Sequence, residues 1–258
     1  MPFEFDGEKY ARASSHQKEW GGRIIHELHL RGDESVLDLG SGDGALTRLL
    51  ASLVPRGRVL GIDSSRNMIN TADRWKGQNW RFMLMDINQL RLPEQFDLIF
   101  SNATLHWIHD HHRILRRVYE HLRDGGTIRF NFAGEGNCGT FIRIVQEIMR
   151  ERGFSPFFQT FTWPWYMPSV SDYEELLGRF AFREKKVWSQ IADHCFPDAE
   201  TMALWIDQPN LIPFLAHLDD SCKPAFRGRV IERMIAETRL ENGTFFETFR
   251  RINVLAIK

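Results

Sequence analysis

Cysteine is scarce in this chain, with three among 258 residues, at Cys138, Cys195 and Cys222. An odd, widely spaced set suits neither a disulfide framework nor a C-x-x-C metal site. No stretch approaches the ~18 uninterrupted apolar residues of a membrane span. The opening MPFEFDGEKY has no basic region followed by an apolar one, so it does not read as a secretory signal. The net charge of −1 leaves no basic surface for nucleic acid and no acidic tail. These absences point by default to a soluble, cytoplasmic protein without nucleic-acid or membrane partners; a monomer or weak dimer and a small-molecule partner are separate expectations. The length suits one α/β domain with room for an insertion.

Short apolar runs alternate with helical spacing through the first half. Strands are expected at 35–40, 58–63, 80–86, 96–102 and 127–132, and helices at 45–54, 65–75 and 111–122. That alternation implies a doubly wound parallel sheet covered on both faces. A helix at about 138–151 leads into the Pro-broken FSPFFQTFTWPWYMPS. A strand follows within 182–196, then a helical block at about 198–240 with Pro209, Pro213 and Pro224 as breaks. FFETFRRINVLAIK reads as a last strand. No linker separates domains, so the expectation is a single domain over 1–258. Its core is about 33–134, and a helical cap comes from 1–30, 135–175 and 197–240.

The segment DLGSGDGA, 38–45, joins the first strand to a helix. Gly40, Gly42 and Gly44 allow a tight turn and a close backbone approach to a ligand. Gly40, Gly42 and Ala45 also satisfy a dinucleotide pattern, and Asp63, at the end of strand two, suits a grip on ribose hydroxyls. A nicotinamide-dependent oxidoreductase could use the same parts. Asp38 and Asp43 argue against it, because a pyrophosphate beside two carboxylates would be repelled, and no Tyr-x-x-x-Lys pair is present.

VLDLGSGDGALT followed by GIDSS resembles the first two motifs of class I S-adenosylmethionine-dependent methyltransferases. MDINQL, FDLIFSNATLHWI and LRDGGTIRF resemble the motifs that follow. The resemblance implies a Rossmann-like seven-stranded sheet whose last strand is antiparallel. SNATLHW with the closing FRRINVLAIK is most similar to the trans-aconitate methyltransferase-like group, which implies O-methylation of a carboxylate. Hydroxyl, amine or carbon acceptors stay open.

For S-adenosylmethionine, the resemblance implies an amino-group site at Asp38 and room at Gly40, Ser41 and Gly42. Asp63 would bind the ribose, Ser64 and Met68 would line the adenine, and Asp86 would accept from the adenine amino group with Ile87 beside it. Asn102 and Ala103 would stand at the sulfonium, and Tyr10 and Gln17 would cover the cofactor. For Met68 and Ile87, plain packing explains the residue equally well.

Four histidines crowd SNATLHWIHDHH, 101–112. Asp110 fits a helix N-cap. His111 falls on the buried stripe and His112 on the solvent side, so one metal cannot take both and no metal is expected. His106 and Trp107 lie at the carboxyl edge of the sheet, where α/β folds bind ligands. His106 could orient the acceptor or simply pack, and for a phenol or amine acceptor His106 or His109 is the nearest candidate base. Trp163 and Tyr166 could wall the acceptor pocket.

Overall fold

The computed structural model describes residues 15–258, apart from Lys76 and the side chains of residues 15–17 and 209. The chain divides into two compact units. The first holds the chain up to residue 135 with 165–190 and 251–258. The second holds 136–164 and 191–250.

The first unit is built on a seven-stranded sheet of order β3-β2-β1-β4-β5-β9-β6. Its strands are β1 (Ser35–Leu39), β2 (Arg58–Asp63), β3 (Trp80–Leu84), β4 (Phe96–Asn102), β5 (Leu122–Ala133), β6 (Glu184–Ile191) and β9 (Arg250–Ile257). Strands β1 to β5 pair in parallel, and β9 pairs antiparallel to β5. All five residues of β1 are buried, as a parallel strand covered on both faces requires.

Alternation along the strands feeds two cores. Val36, Val59, Leu98 and Phe100 pack with Ile24 and Ile25 of α1 (Ser15–His26) and Leu50 of α2 (Ala45–Leu53). Leu37, Leu39, Ile62, Ile99 and Phe130 face the other way, onto α4 (His111–His121) and α6 (Val170–Gly178). The short α3 (Arg66–Ala72) is capped by the Ser65 hydroxyl, which accepts from the Met68 N–H. The expected helix at 65–75 and strand at 80–86 are therefore shorter than the spacing suggests.

The second unit has α5 (Gly139–Met149), α7 (Ala199–Trp205), α8 (Ile212–Leu215), α9 (Lys223–Thr238) and a two-stranded sheet of β7 (His194–Phe196) with β8 (Phe245–Glu247). Its core is aromatic: Trp205 contacts Phe141, Phe196 and Phe249. Pro213 and Pro224 sit in the first turns of α8 and α9. They start these helices, where a missing N–H costs nothing, and do not interrupt one. The segments 182–196 and 245–258, each expected as one strand, each form two. Among the described residues no helix is long and apolar enough to cross a membrane.

Candidate active site

The carboxyl ends of β1, β2, β3 and β4 converge. In the turn after β1, Gly40, Gly42 and Gly44 all have left-handed backbone, with φ of 75°, 55° and 80°. The N–H groups of Gly40 and Ser41 donate to the Ile62 carbonyl at 2.8 and 2.9 Å, tying the turn to β2. A Cβ on Gly40 would lie 2.2 Å from Thr104, whereas one on Gly42 would meet nothing within 4 Å. The turn is thus tight against the protein at its first glycine and open at its second. Lys18 of α1 pairs with Asp43 in the same turn at 2.5 Å.

Three acids stand around it. Asp63 divides its oxygens, accepting from Gly42 N–H and from Ser65 N–H, both at 2.9 Å. Asp86 caps the helical turn Ile87–Gln89 by accepting from Asn88 N–H at 2.8 Å. Met85 N–H donates to the Asp63 carbonyl at 2.9 Å, which holds the end of β3 beside that of β2. Asp38 is buried and accepts from the Thr47 hydroxyl at 2.6 Å. Burial pushes its carboxyl up to about 7; the Thr47 bond opposes the rise and the Asp63 charge adds to it. The sequence carries no pattern that marks Thr47 as this partner.

Beyond β4 the backbone is forced. Ala103 has φ 55°, costly for a residue with a Cβ, and its N–H donates to the Asn131 carbonyl at 2.7 Å. Asn102 beside it is buried, and a Cβ on Gly21 of α1 would lie 2.9 Å from its amide nitrogen. His106 follows in the turn Leu105–Trp107. Its carbonyl accepts from Tyr166 N–H at 2.8 Å, and its ring lies 5.5 Å from that of Trp107, which meets Trp165 at 5.7 Å. The His106 Nδ1 is buried without a hydrogen-bond partner among the described residues. Burial holds this imidazole neutral, pushing its pKa well down, and the charge of Arg251 adds to the effect.

Arg251, which nothing in the sequence pattern distinguishes, is itself 3% exposed. Its Nε donates to Asn131 Oδ1 at 2.9 Å and its Nη2 to the Asn131 carbonyl at 3.3 Å. Asn131 also donates to Asn253 Oδ1 at 2.9 Å, and that oxygen accepts from Arg129 at 3.0 Å.

The expected site residues therefore fall into three groups. Asp38, Gly40, Ser41, Gly42, Asp63, Ser64, Asp86, Asn102, Ala103, His106, Trp107 and Tyr166 gather at this sheet edge. Met68 and Ile87 are there too but buried, at 3% and 5% exposure. Trp163 belongs to the second unit, where it contacts Phe161 and Phe214 and lines a cavity of about 300 Å³. Tyr10 and the Gln17 side chain lie outside the described residues.

His111 is a packing residue, as its stripe requires: one ring nitrogen meets the Tyr173 hydroxyl at 3.1 Å and the other the Leu105 carbonyl at 2.9 Å. His112 is exposed. Among the described residues no three His, Cys, Asp or Glu side chains converge as a metal site would require.

A sheet of this order with an antiparallel strand beside β5, a left-handed glycine turn after β1 and an acid closing β2 defines a class I S-adenosylmethionine-dependent methyltransferase. Residues 36–126 match the methyltransferase domain family. The chain is 33% identical over 187 residues to trans-aconitate 2-methyltransferase of Deinococcus radiodurans, covering 71% of this chain and 72% of that one. It is 26% identical over 269 aligned positions to the enzyme of the same name from Rhizobium etli, covering 98% and 99%. This chain belongs to the trans-aconitate methyltransferase-like group, and its cofactor is S-adenosylmethionine.

Solved structures share its fold. The YcgJ protein of Bacillus subtilis has a TM-score of 0.62 at 17% identity, covering 93% of this chain and 98% of its own. Phosphoethanolamine N-methyltransferase 2 of Haemonchus contortus, solved with S-adenosylhomocysteine, has a TM-score of 0.59 at 19% identity, covering 93% and 52%.

Proposed function

We propose that the sheet edge transfers a methyl group from S-adenosylmethionine to a carboxylate of a small organic acid, in the cytoplasm. The residues present fit the cofactor. Gly42 has open space where a side chain would stand, and the buried Ser41 hydroxyl has no partner among the described residues. On this reading Asp38 holds the amino group, Gly40 and Gly42 make room for the amino-acid portion, and Asp63 takes the ribose hydroxyls. Asp86 accepts from the adenine amino group between Met68 and Ile87. Bound there, S-adenosylmethionine supplies an electrophilic methyl on its sulfonium.

The observation that carries the acceptor chemistry is His106. It is the first titratable side chain after the end of β4, and burial and the Arg251 charge keep it neutral. An imidazole whose protonated form is so disfavoured is a weak base for a phenol or an amine. A carboxylate is already ionised near neutral pH, with a pKa of about 4, and needs none. It needs only alignment, which can supply ~7–11 kcal/mol. His106, Trp107 and Tyr166 provide that alignment and exclude water. With that cofactor bound, a carboxylate oxygen would take the methyl group as its bond to sulfur gives way and the electron pair stays on sulfur, so neither His106 nor Tyr166 would have to move a proton. The relatives named trans-aconitate 2-methyltransferase support the same acceptor class.

The test is incubation with methyl-labelled cofactor and a panel of organic acids, phenols and amines, followed by mild alkali. An ester releases labelled methanol. A product whose label survives alkali overturns the carboxylate reading.

A further inference from the structure

We propose that the cavity of the second unit is a binding site for a small aromatic monocarboxylate, separate from the methyl-transfer edge and not itself a place of reaction. The cavity, of about 300 Å³, is lined by Gln146, Met149, Arg150, Ser155, Phe158 and Trp163. All six belong to the second unit, whereas the glycine turn, Asp63, Asp86 and His106 belong to the first. Its aromatic walls are held in place by other rings. Phe158 and Trp163 both meet Phe161 nearly at right angles, at 5.5 and 6.1 Å between ring centroids. Phe161 in turn stacks on the buried Phe214 at 5.2 Å. Met149 ends α5 and Arg150 caps it.

The lining divides by chemistry. Met149, Phe158 and Trp163 offer polarisable apolar surface, which suits an aromatic ring. Gln146, Arg150 and Ser155 supply the polar groups, and among the described residues none of these three side chains has a hydrogen-bond or ion-pair partner. The acids nearest Arg150 in sequence are engaged elsewhere: Glu147 pairs with Arg143 and Arg233, and Glu151 with Arg229. Arg150 therefore presents a charged planar fork of donors with no anion on it, together with an amide and a hydroxyl. Apolar walls with a few convergent polar groups make a small-molecule site, and this cavity is at the lower end of their size range. A carboxylate fits the fork in bidentate fashion. Arg150 is the single cation in the lining, so it matches one negative charge and would leave a phosphate dianion incompletely paired. The ring of such a ligand is left to Met149, Phe158 and Trp163.

The experiment is calorimetry on the full chain, with and without S-adenosylhomocysteine, for the native protein and for Arg150→Gln and Arg150→Lys. The probes are 2-naphthoate, its uncharged amide and inorganic phosphate. Arg150 is exposed, so both variants should fold. The native protein should bind 2-naphthoate at least tenfold more tightly than the amide, and S-adenosylhomocysteine should change that affinity by less than threefold. Arg150→Gln should weaken naphthoate binding at least tenfold while S-adenosylhomocysteine affinity stays native. Arg150→Lys, which keeps the charge but not the fork, should fall between. Phosphate should not displace the naphthoate. Absence of naphthoate binding at millimolar concentration, equal affinity for the amide, or native affinity in Arg150→Gln overturns the proposal. Displacement by phosphate overturns the aromatic part of it. Transfer of labelled methyl to 2-naphthoate that Arg150→Gln abolishes also overturns it, because the cavity would then seat the acceptor. None of these outcomes depends on which acceptor the sheet edge methylates.

Discussion

Thr104 occupies the space that a side chain on Gly40 would need: a Cβ there would lie 2.2 Å from its hydroxyl and methyl. The Thr104 hydroxyl also donates to the Gly40 carbonyl at 3.2 Å. Gly40→Ala should therefore destabilise the protein by more than the ~1–2 kcal/mol of left-handed backbone alone. Gly42→Ala has the same backbone penalty and no clash, so it should melt within a few degrees of native yet bind S-adenosylhomocysteine poorly. Thermal melts and calorimetry on the pair separate the two effects; equal melting temperatures would contradict the geometry.

Asp63→Ala removes the carboxylate that holds Gly42 and Ser65 and, on the proposed reading, two charge-assisted bonds to the ribose. At ~1.5–3 kcal/mol for each bond to a charged group, the affinity for S-adenosylhomocysteine should fall by at least about 100-fold. A folded variant with native affinity would remove Asp63 from the cofactor site.

Asp38 gives a signature in pH. Its carboxyl is pushed up to about 7 from 3.8, so the folded chain binds this proton more tightly than the unfolded chain does. Its contribution to stability is greatest at low pH and falls as pH rises from about 4 to about 7. Asp38→Asn keeps an acceptor for Thr47 and should flatten that slope in denaturant titrations. Cofactor binding should follow the opposite trend, strengthening toward pH 7 by up to about tenfold per pH unit as the carboxylate ionises.

His111 works in the other direction. Burial lowers its pKa from 6.5 to about 4, so its contribution to stability is complete above about pH 6.5 and is lost as pH falls toward 4. His111→Ala should also cost about 2–4 kcal/mol at neutral pH through its lost bonds and the cavity left behind, with no dependence on added metal. A near-neutral effect in urea unfolding would show that Tyr173 and Leu105 find other partners.

In the second unit, Glu247 is fully buried and accepts from the N–H groups of Thr140, Phe141 and Thr248 at 3.3, 2.9 and 2.7 Å. It caps α5 from a distant point in the chain, where Cys138 offers no side-chain cap. Glu247→Ala should cost about 3 kcal/mol or more, since buried donors are left unsatisfied. Glu247→Gln should cost less. The order of the two melting temperatures is the check.

Much of the first unit was legible in the sequence because β1, β2 and β4 are buried on both faces and read as unbroken apolar runs between helical spacings. The glycine turn and Asp63 stand in a fixed order along the chain, so they were legible too. The second unit was harder. FFETFRRINVLAIK reads as one strand, but Glu247 turns inward as a helix cap and Phe249 N–H donates to Asp193 at 3.0 Å, so the chain leaves one sheet and enters another. Arg251 was hidden for a related reason. Alternating Arg, Asn and aliphatic residues look like a strand with a wet face, whereas Arg251 is buried, with Trp20 of α1 against its guanidinium.

The place of β9 has a consequence for biosynthesis. It lies between β5 and β6 in the sheet, yet it is translated after both. Until residues 250–257 leave the ribosome, β5 keeps an open edge carrying Asn131 and its unpaired backbone groups, the kind of edge that captures other chains. The nascent protein must therefore wait with its sheet unclosed while the whole second unit is translated. Alterations at β9 should show first as lower yield and more aggregate in expression, before any change in turnover is measurable.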